Sequence, residues 1–119
     1  MDNNVETVVI AWLDSITTVP VSGDIPDPRP NQFITVDRTG GPREAMVLDK
    51  AEILIEVYDK NSRLDASTLA NTIADRIVEL EAYSQNITHA SINSVVNLND
   101  LIGQYQRYQV YCDVFMSRV

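Results

Sequence analysis

The chain has 119 residues, of which 45% are apolar, and a net charge of −8 from nine basic and 17 acidic side chains. That length holds one core and one domain over residues 1–119, and that apolar share supports a packed interior rather than disorder. The acidic balance argues against a surface that grips nucleic acid, because such affinity comes largely from phosphates neutralised by Lys and Arg.

The first periodic segment is Val5–Ile16, where Val5, Val8, Val9, Trp12, Leu13 and Ile16 fall on one helical face. Asn3 with Glu6 three residues later forms an N-cap pair, and Asp2 and Glu6 suit the positive helix end. Thr17, Thr18, Val19 and Pro20 end the helix and open a short extended piece over 18–22. Residues 23–30 carry prolines at 26, 28 and 30, which remove amide donors and fix φ, so a stiff, extended surface loop is expected. Gln32–Thr39 reads as a strand through Phe33, Ile34, Thr35 and Val36. Gly40, Gly41 and Pro42 interrupt it, and the chain is expected to loop until about Leu48. Ala51–Asp59 alternates, with Ile53, Ile55 and Val57 opposed to Glu52, Leu54, Glu56 and Tyr58.

A second helix is predicted over Leu64–Ala82, capped by Asn61 or Ser62, burying Ala66, Leu69, Ala70, Ile73, Ile77 and Leu80. Ile87–Asn97 is a weaker strand with Ala90, Ile92, Ser94 and Val96 on one side. Tyr105–Met116 is the clearest strand, with Tyr108, Val110, Cys112, Val114 and Met116 on one side, and 97–104 join the two as a hairpin. The order α-β-β-β-α-β-β predicts an α+β fold: an antiparallel-rich mixed sheet of about five strands with two helices on one face. The other face then carries Leu54, Tyr105, Tyr111 and Phe115 among charged neighbours, with no cover from the chain itself. Such a half-apolar surface invites a subunit contact.

Groups arranged for chemistry are scarce. His89 is the single histidine, and nothing at helical or hairpin spacing gives it a second metal ligand or an acid–base partner. Cys112 excludes an intrachain disulfide, and between Val110 and Val114 it reads as a buried, inert thiol. Ser15, Ser62 and Ser67 lack a nucleophile-elbow motif. Gly40-Gly41-Pro42-Arg43 lacks the amides and following helix of a phosphate cradle. Asp24, Asp27, Asp49, Glu52, Glu56 and Asp59 lack the order of a calcium loop. The sequence predicts no catalytic residue, no cofactor and no metal. No apolar run approaches the ~20 residues of a membrane helix and the N-terminus lacks a signal-peptide pattern, so synthesis and retention in the host cytoplasm are expected.

The charge is uneven: residues 1–81 hold 15 acidic and seven basic side chains, and the last 38 hold two of each. Arg29, Arg38 and Arg43, on or beside stiff loops, are candidate intersubunit contacts because a guanidinium pairs bidentately with a neighbour's carboxylate. Tyr111 and Phe115, on the open sheet face, join them as candidates.

Ala11-Trp12-Leu13 closing the first helix, the Asp24-Ile25-Pro26-Asp27-Pro28-Arg29-Pro30 loop, and Phe33 to Pro42 with its Arg38-Thr39-Gly40-Gly41 come in a characteristic order. They precede Val47-Leu48-Asp49-Lys50, the Ile53–Tyr58 strand and an Ala-rich helix. This arrangement resembles the tail-terminator (tail-completion, or head–tail joining) proteins of long-tailed bacteriophages, those infecting actinobacteria in particular. The resemblance implies a non-enzymatic virion protein that forms a ring, typically a hexamer, on the head-proximal end of the tail tube. Its partners would be copies of itself, the tail tube protein and the head–tail connector or stopper protein. DNA would pass through the lumen without specific binding. A stopper, adaptor or minor tail protein is the neighbouring reading, and a small ligand-binding regulatory module a more distant one.

Overall fold

The computed structural model describes residues 4–41, 48–99 and 104–117. In chain order they form α1 (Val5–Ile16), β1 (Val21–Ser22), β2 (Gln32–Gly40), β3 (Leu48–Asp59), α2 (Arg63–Arg76), α3 (Glu79–Tyr83), β4 (Ile87–Asn97) and β5 (Gln106–Ser117). The five strands make one sheet in the order β1-β2-β3-β5-β4. β1 runs parallel to β2, and every other pairing is antiparallel. This is the expected α+β class.

α1 spans Val5–Ile16 as the periodicity indicates, but its cap lies one residue later than predicted. Asn3 lies outside the described residues, and the cap is Asn4, whose side-chain oxygen accepts from the Thr7 amide at 3.3 Å. The helix ends where Thr17 becomes extended and its hydroxyl accepts from the Val19 amide at 3.2 Å. Val5, Val8, Val9, Trp12 and Leu13 are buried against the sheet, as the periodicity requires.

The second predicted helix is divided. α2 stops at Arg76, and α3 resumes at Glu79. Around the joint the bonds tighten to three-residue spacing, from Ile77 N to Ala74 O (3.4 Å) and from Leu80 N to Ile77 O (3.1 Å). Ile77 and Val78 remain helical in backbone, and their β-branched side chains are stiff against the preceding turn. The apolar stripe survives the joint: Ala66, Ala70, Ile73, Ile77 and Leu80 are all buried. Asp59 sets the entry to α2. Its buried carboxylate accepts from the Asn61 and Ser62 amides, both at 2.9 Å, and from Gln32 Nε2 at 2.7 Å.

All three helices cover the same sheet face. One cluster joins α1, α2 and α3 to Ile34 and Val36 of β2, Ala51, Ile53, Ile55 and Val57 of β3, and Val110, Cys112, Val114 and Met116 of β5. β4 departs from simple alternation. Its pairing with β5 slips between Ile87 and His89 and again between Ile92 and Ser94. Each bulge adds a residue and turns the following side chains over. As a result Val95, rather than Ser94 or Val96, packs on the core beyond the second bulge, and Val96 is exposed.

Leu13→Ala should cost about 3 kcal/mol, as expected for a fully buried leucine, while Leu64→Ala should stay within about 0.5 kcal/mol. Leu13 is 0% exposed and Leu64 is 75% exposed. Urea unfolding followed by far-UV circular dichroism checks both values.

Candidate subunit interface

The sheet face away from the helices is divided into two halves. At one end Phe33, Tyr58 and Tyr105 form a second small core. Phe33 stacks on Tyr58 with ring centroids 4.3 Å apart, and Tyr105 meets Phe33 edge-on at 5.5 Å. The proline-rich loop folds over this end. Tyr105 donates its hydroxyl to the Pro30 carbonyl at 2.7 Å, and the Arg29 guanidinium lies 5.6 Å from the Tyr105 ring centroid. The expectation that Tyr105 lacks cover from its own chain is therefore corrected: it is 4% exposed.

Beside it runs a polar strip. Glu56 pairs with Arg107 at 3.4 Å and accepts from Gln109 Nε2 at 3.1 Å, and Gln109 Oε1 accepts from the Tyr111 hydroxyl at 3.3 Å. Arg107 also donates to the Leu98 carbonyl at 2.8 Å and lies over the Tyr58 ring at 5.9 Å.

The other half is open. Leu54, Tyr111 and Phe115 are half-buried there, with Lys50 5.6 Å from the Phe115 ring centroid and His89 5.8 Å from it. A shallow depression of about 390 Å³ lies against Thr39, Glu52, Asn93, Ser94 and Tyr111. Glu52 and Asp113 stand directly opposite each other in the β3–β5 register, a like-charge pair that is unfavourable in isolation. Asp113 Oδ1 is shielded from solvent and has no hydrogen-bond partner among the described residues.

The fold has a counterpart among solved structures. A chain of the "Virion of native gene transfer agent (GTA) particle" superposes with a TM-score of 0.64. The alignment covers 98% of this chain and 86% of that one, at 12% identity, so the likeness is one of fold. No protein-family model and no curated protein matches the sequence.

The five candidate contact residues occupy three different settings. Tyr111 and Phe115 lie together on the open half-face. Arg29 is exposed on the proline-rich loop, beside the covered half. Arg43 lies outside the described residues. Arg38 is turned toward the helix side of the sheet and engaged with its own chain, with Nη1 2.9 Å and Nη2 2.8 Å from the two oxygens of Asp49. Those bonds, reinforced by the charges of Asp49 and Glu6, hold the guanidinium above its ordinary pKa. The Arg38–Asp49 pair escaped the sequence reading because β3 begins at Leu48, three residues earlier than the alternation starting at Ala51 indicates. The signal was a carboxylate on the far side of the glycine pair.

The remaining chemical candidates are dispersed. His89 is 59% exposed in its side chain, with Nδ1 3.5 Å from Glu81 Oε2. That Glu81 oxygen also accepts from the Ala90 amide at 3.1 Å, tying α3 to β4. Of the carboxylates weighed for a cation, Asp49, Glu56 and Asp59 are held by Arg38, Arg107 and the entry to α2 respectively. Among the described residues no group of three or more His, Cys, Asp or Glu could hold a metal ion. No helix among them is long and apolar enough to cross a membrane.

Burial, helped by the neighbouring Asp113, pushes the Cys112 thiol up to about 12. At pH 8 iodoacetamide should therefore leave Cys112 unmodified in the folded chain and label it once urea unfolds the protein; mass spectrometry reads the difference. The sign of the pH effect follows. The unfolded thiol ionises near its ordinary value of 9.0, while the folded one stays protonated to about 12. This group's contribution to stability is complete below pH 9 and lost as pH rises through that interval. Cys112→Ser, which removes the titrating group because a serine hydroxyl does not ionise in this range, should flatten the alkaline limb of the stability profile.

Proposed function

We propose that this chain is a structural subunit of a tailed, phage-like particle that closes into a ring, most simply a hexamer, on the head-proximal end of the tail tube. There it ends tube polymerisation and joins the tail to the head connector. The observation that carries the reading is the fold shared with a virion chain over 98% of this chain's length. The order of motifs from Trp12 to the Arg38-Thr39-Gly40-Gly41 stretch narrows it from virion protein to tail terminator. An exposed His89 whose neighbour Glu81 ties α3 to β4, and a buried, protonated Cys112, fit a chain whose function is assembly rather than turnover.

The open half-face supplies a physical basis for the ring. Leu54, Tyr111 and Phe115 offer apolar area, and the Glu52–Asp113 pair is a place where a neighbour's cation would relieve like-charge repulsion. An exposed arginine on a stiff loop, such as Arg29, is the kind of group that meets it. Closure about an axis requires two different patches on each subunit, which this face and the loop edge provide. The acidic surface suits a lumen that DNA crosses without adhering.

Native mass spectrometry with and without purified tail tubes tests the reading. A closed oligomer that appears with tubes supports it; a chain that stays monomeric beside tubes and is missing from mature particles defeats it. Tyr111→Glu should weaken ring closure by roughly thirtyfold, the effect of about 2 kcal/mol at a contact, while the monomer's circular dichroism stays unchanged.

A further inference from the structure

We infer that Arg38 serves assembly as a positioning residue, pinning the two points where the β2–β3 connection leaves and rejoins the sheet, and not as a contact across a subunit boundary. The use of the pin rests on the ring reading above; the pin itself rests on geometry. Besides both oxygens of Asp49, Arg38 reaches the Gly40 carbonyl from Nε at 3.2 Å, and the Gly41 and Lys50 carbonyls from Nη2 at 3.1 and 3.3 Å. Two of these acceptors lie just before the connection, and Asp49 and Lys50 lie just after it. All three guanidinium nitrogens are thereby engaged, which leaves little donor capacity for a neighbour.

The pair is not an exposed surface bridge: the Asp49 side chain is 6% accessible and the Arg38 side chain 27%. Taking charges out of water is costly, and bidentate geometry with further carbonyl acceptors is what offsets the cost. Gly41 completes the arrangement. Its φ is +105°, and a Cβ there would collide with the Lys50 carbonyl oxygen. Only glycine lets the end of β2 close this tightly on the start of β3. The Arg38-Thr39-Gly40-Gly41 stretch and Asp49 thus form one device. A connection hung from two fixed points leaves the sheet in the same place in every copy. That reduces the ordering cost of a contact repeated around a ring.

The test compares Arg38→Lys, Asp49→Asn and the double variant by hydrogen–deuterium exchange over residues 36–41 and 48–54, and by ring formation on tail tubes. Each single change should speed exchange there about tenfold, the factor for one charge-assisted hydrogen bond, and the double variant no more than either single one. Ring formation should fall as far in Asp49→Asn as in Arg38→Lys. Gly41→Ala, which leaves the ion pair in place, should speed the same exchange and gives a second route if an ion-pair variant fails to fold. Unchanged or additive exchange overturns the pin. Loss of rings in Arg38→Lys with normal rings in Asp49→Asn overturns the positioning role in favour of direct contact, and loosened exchange with normal rings overturns its use in assembly. A wild-type chain that forms no ring sinks the ring reading instead, a result seen before any variant is made.

Discussion

Strand β3 is paired with β5 at every one of its residues, and with β2 from Glu52 to Asp59. A strand held on both sides has one side-chain set per face, and slipping it by one residue would exchange the two sets. Ile53, Ile55 and Val57 would then face away from the helices, and the fold would lose its main contact. The rest of the architecture follows from that register. It fixes where α1 and α2 find apolar partners, and it fixes which side chains remain for the opposite face. It also brings Asp49 to the place where Arg38 can reach both of its oxygens.

The two faces therefore answer different demands. The helix side is a continuous core, and its residues are spent on stability. The opposite side is only half used: the proline-rich loop and the Phe33–Tyr58–Tyr105 cluster close one end, while Leu54, Tyr111 and Phe115 stay partly open at the other. The exposed apolar side chains of the helical layer, Leu64, Val78 and Tyr83, belong to the outer surface of the helices and not to that open half-face. Scattered exposed apolar residues are ordinary on any soluble surface. An aromatic strip beside an opposed Glu52 and Asp113 is not, because it combines uncovered apolar area with two like charges placed directly across from each other.

Elements with an unbroken period were legible from the residues alone. α1, β3 and β5 carry clean 3.6- or 2-residue patterns, and the structure has them close to the expected bounds. The failures have local causes. β4 reads poorly because two bulges reset its phase, so no single alternation describes it. The pattern gives the second helix as one piece because its apolar stripe crosses the Ile77–Val78 joint undisturbed, and the stripe is blind to a change in hydrogen-bond spacing. The cover over Tyr105 was invisible because it depends on the direction taken by a loop rich in proline, which periodicity does not encode. Arg38 stands out in the sequence as a guanidinium suited to carboxylates, and within the chain it is paired with Asp49, eleven residues on, which periodicity does not show. For candidate contacts, sequence identified the residue types, and only the register decided which of them were already satisfied.

A likeness of 12% identity over nearly the whole chain carries topology and little else. Unrelated activities are hosted on shared folds, so fold alone does not assign work to a protein. A ring subunit, however, makes a different demand on its sequence than an enzyme does. An active site needs a few groups held in fixed mutual geometry, and losing one ends the reaction. A ring contact needs area, complementary charge and a repeatable direction, and many residue combinations meet those terms. Among the described residues, Arg38, Asp49 and the Gly40, Gly41 and Lys50 carbonyls form a polar constellation at the root of a connection, a device that would give the contacts of the proposed ring a repeatable direction. There the guanidinium bonds three backbone carbonyls of its own chain as well as a carboxylate, so the network holds backbone in place.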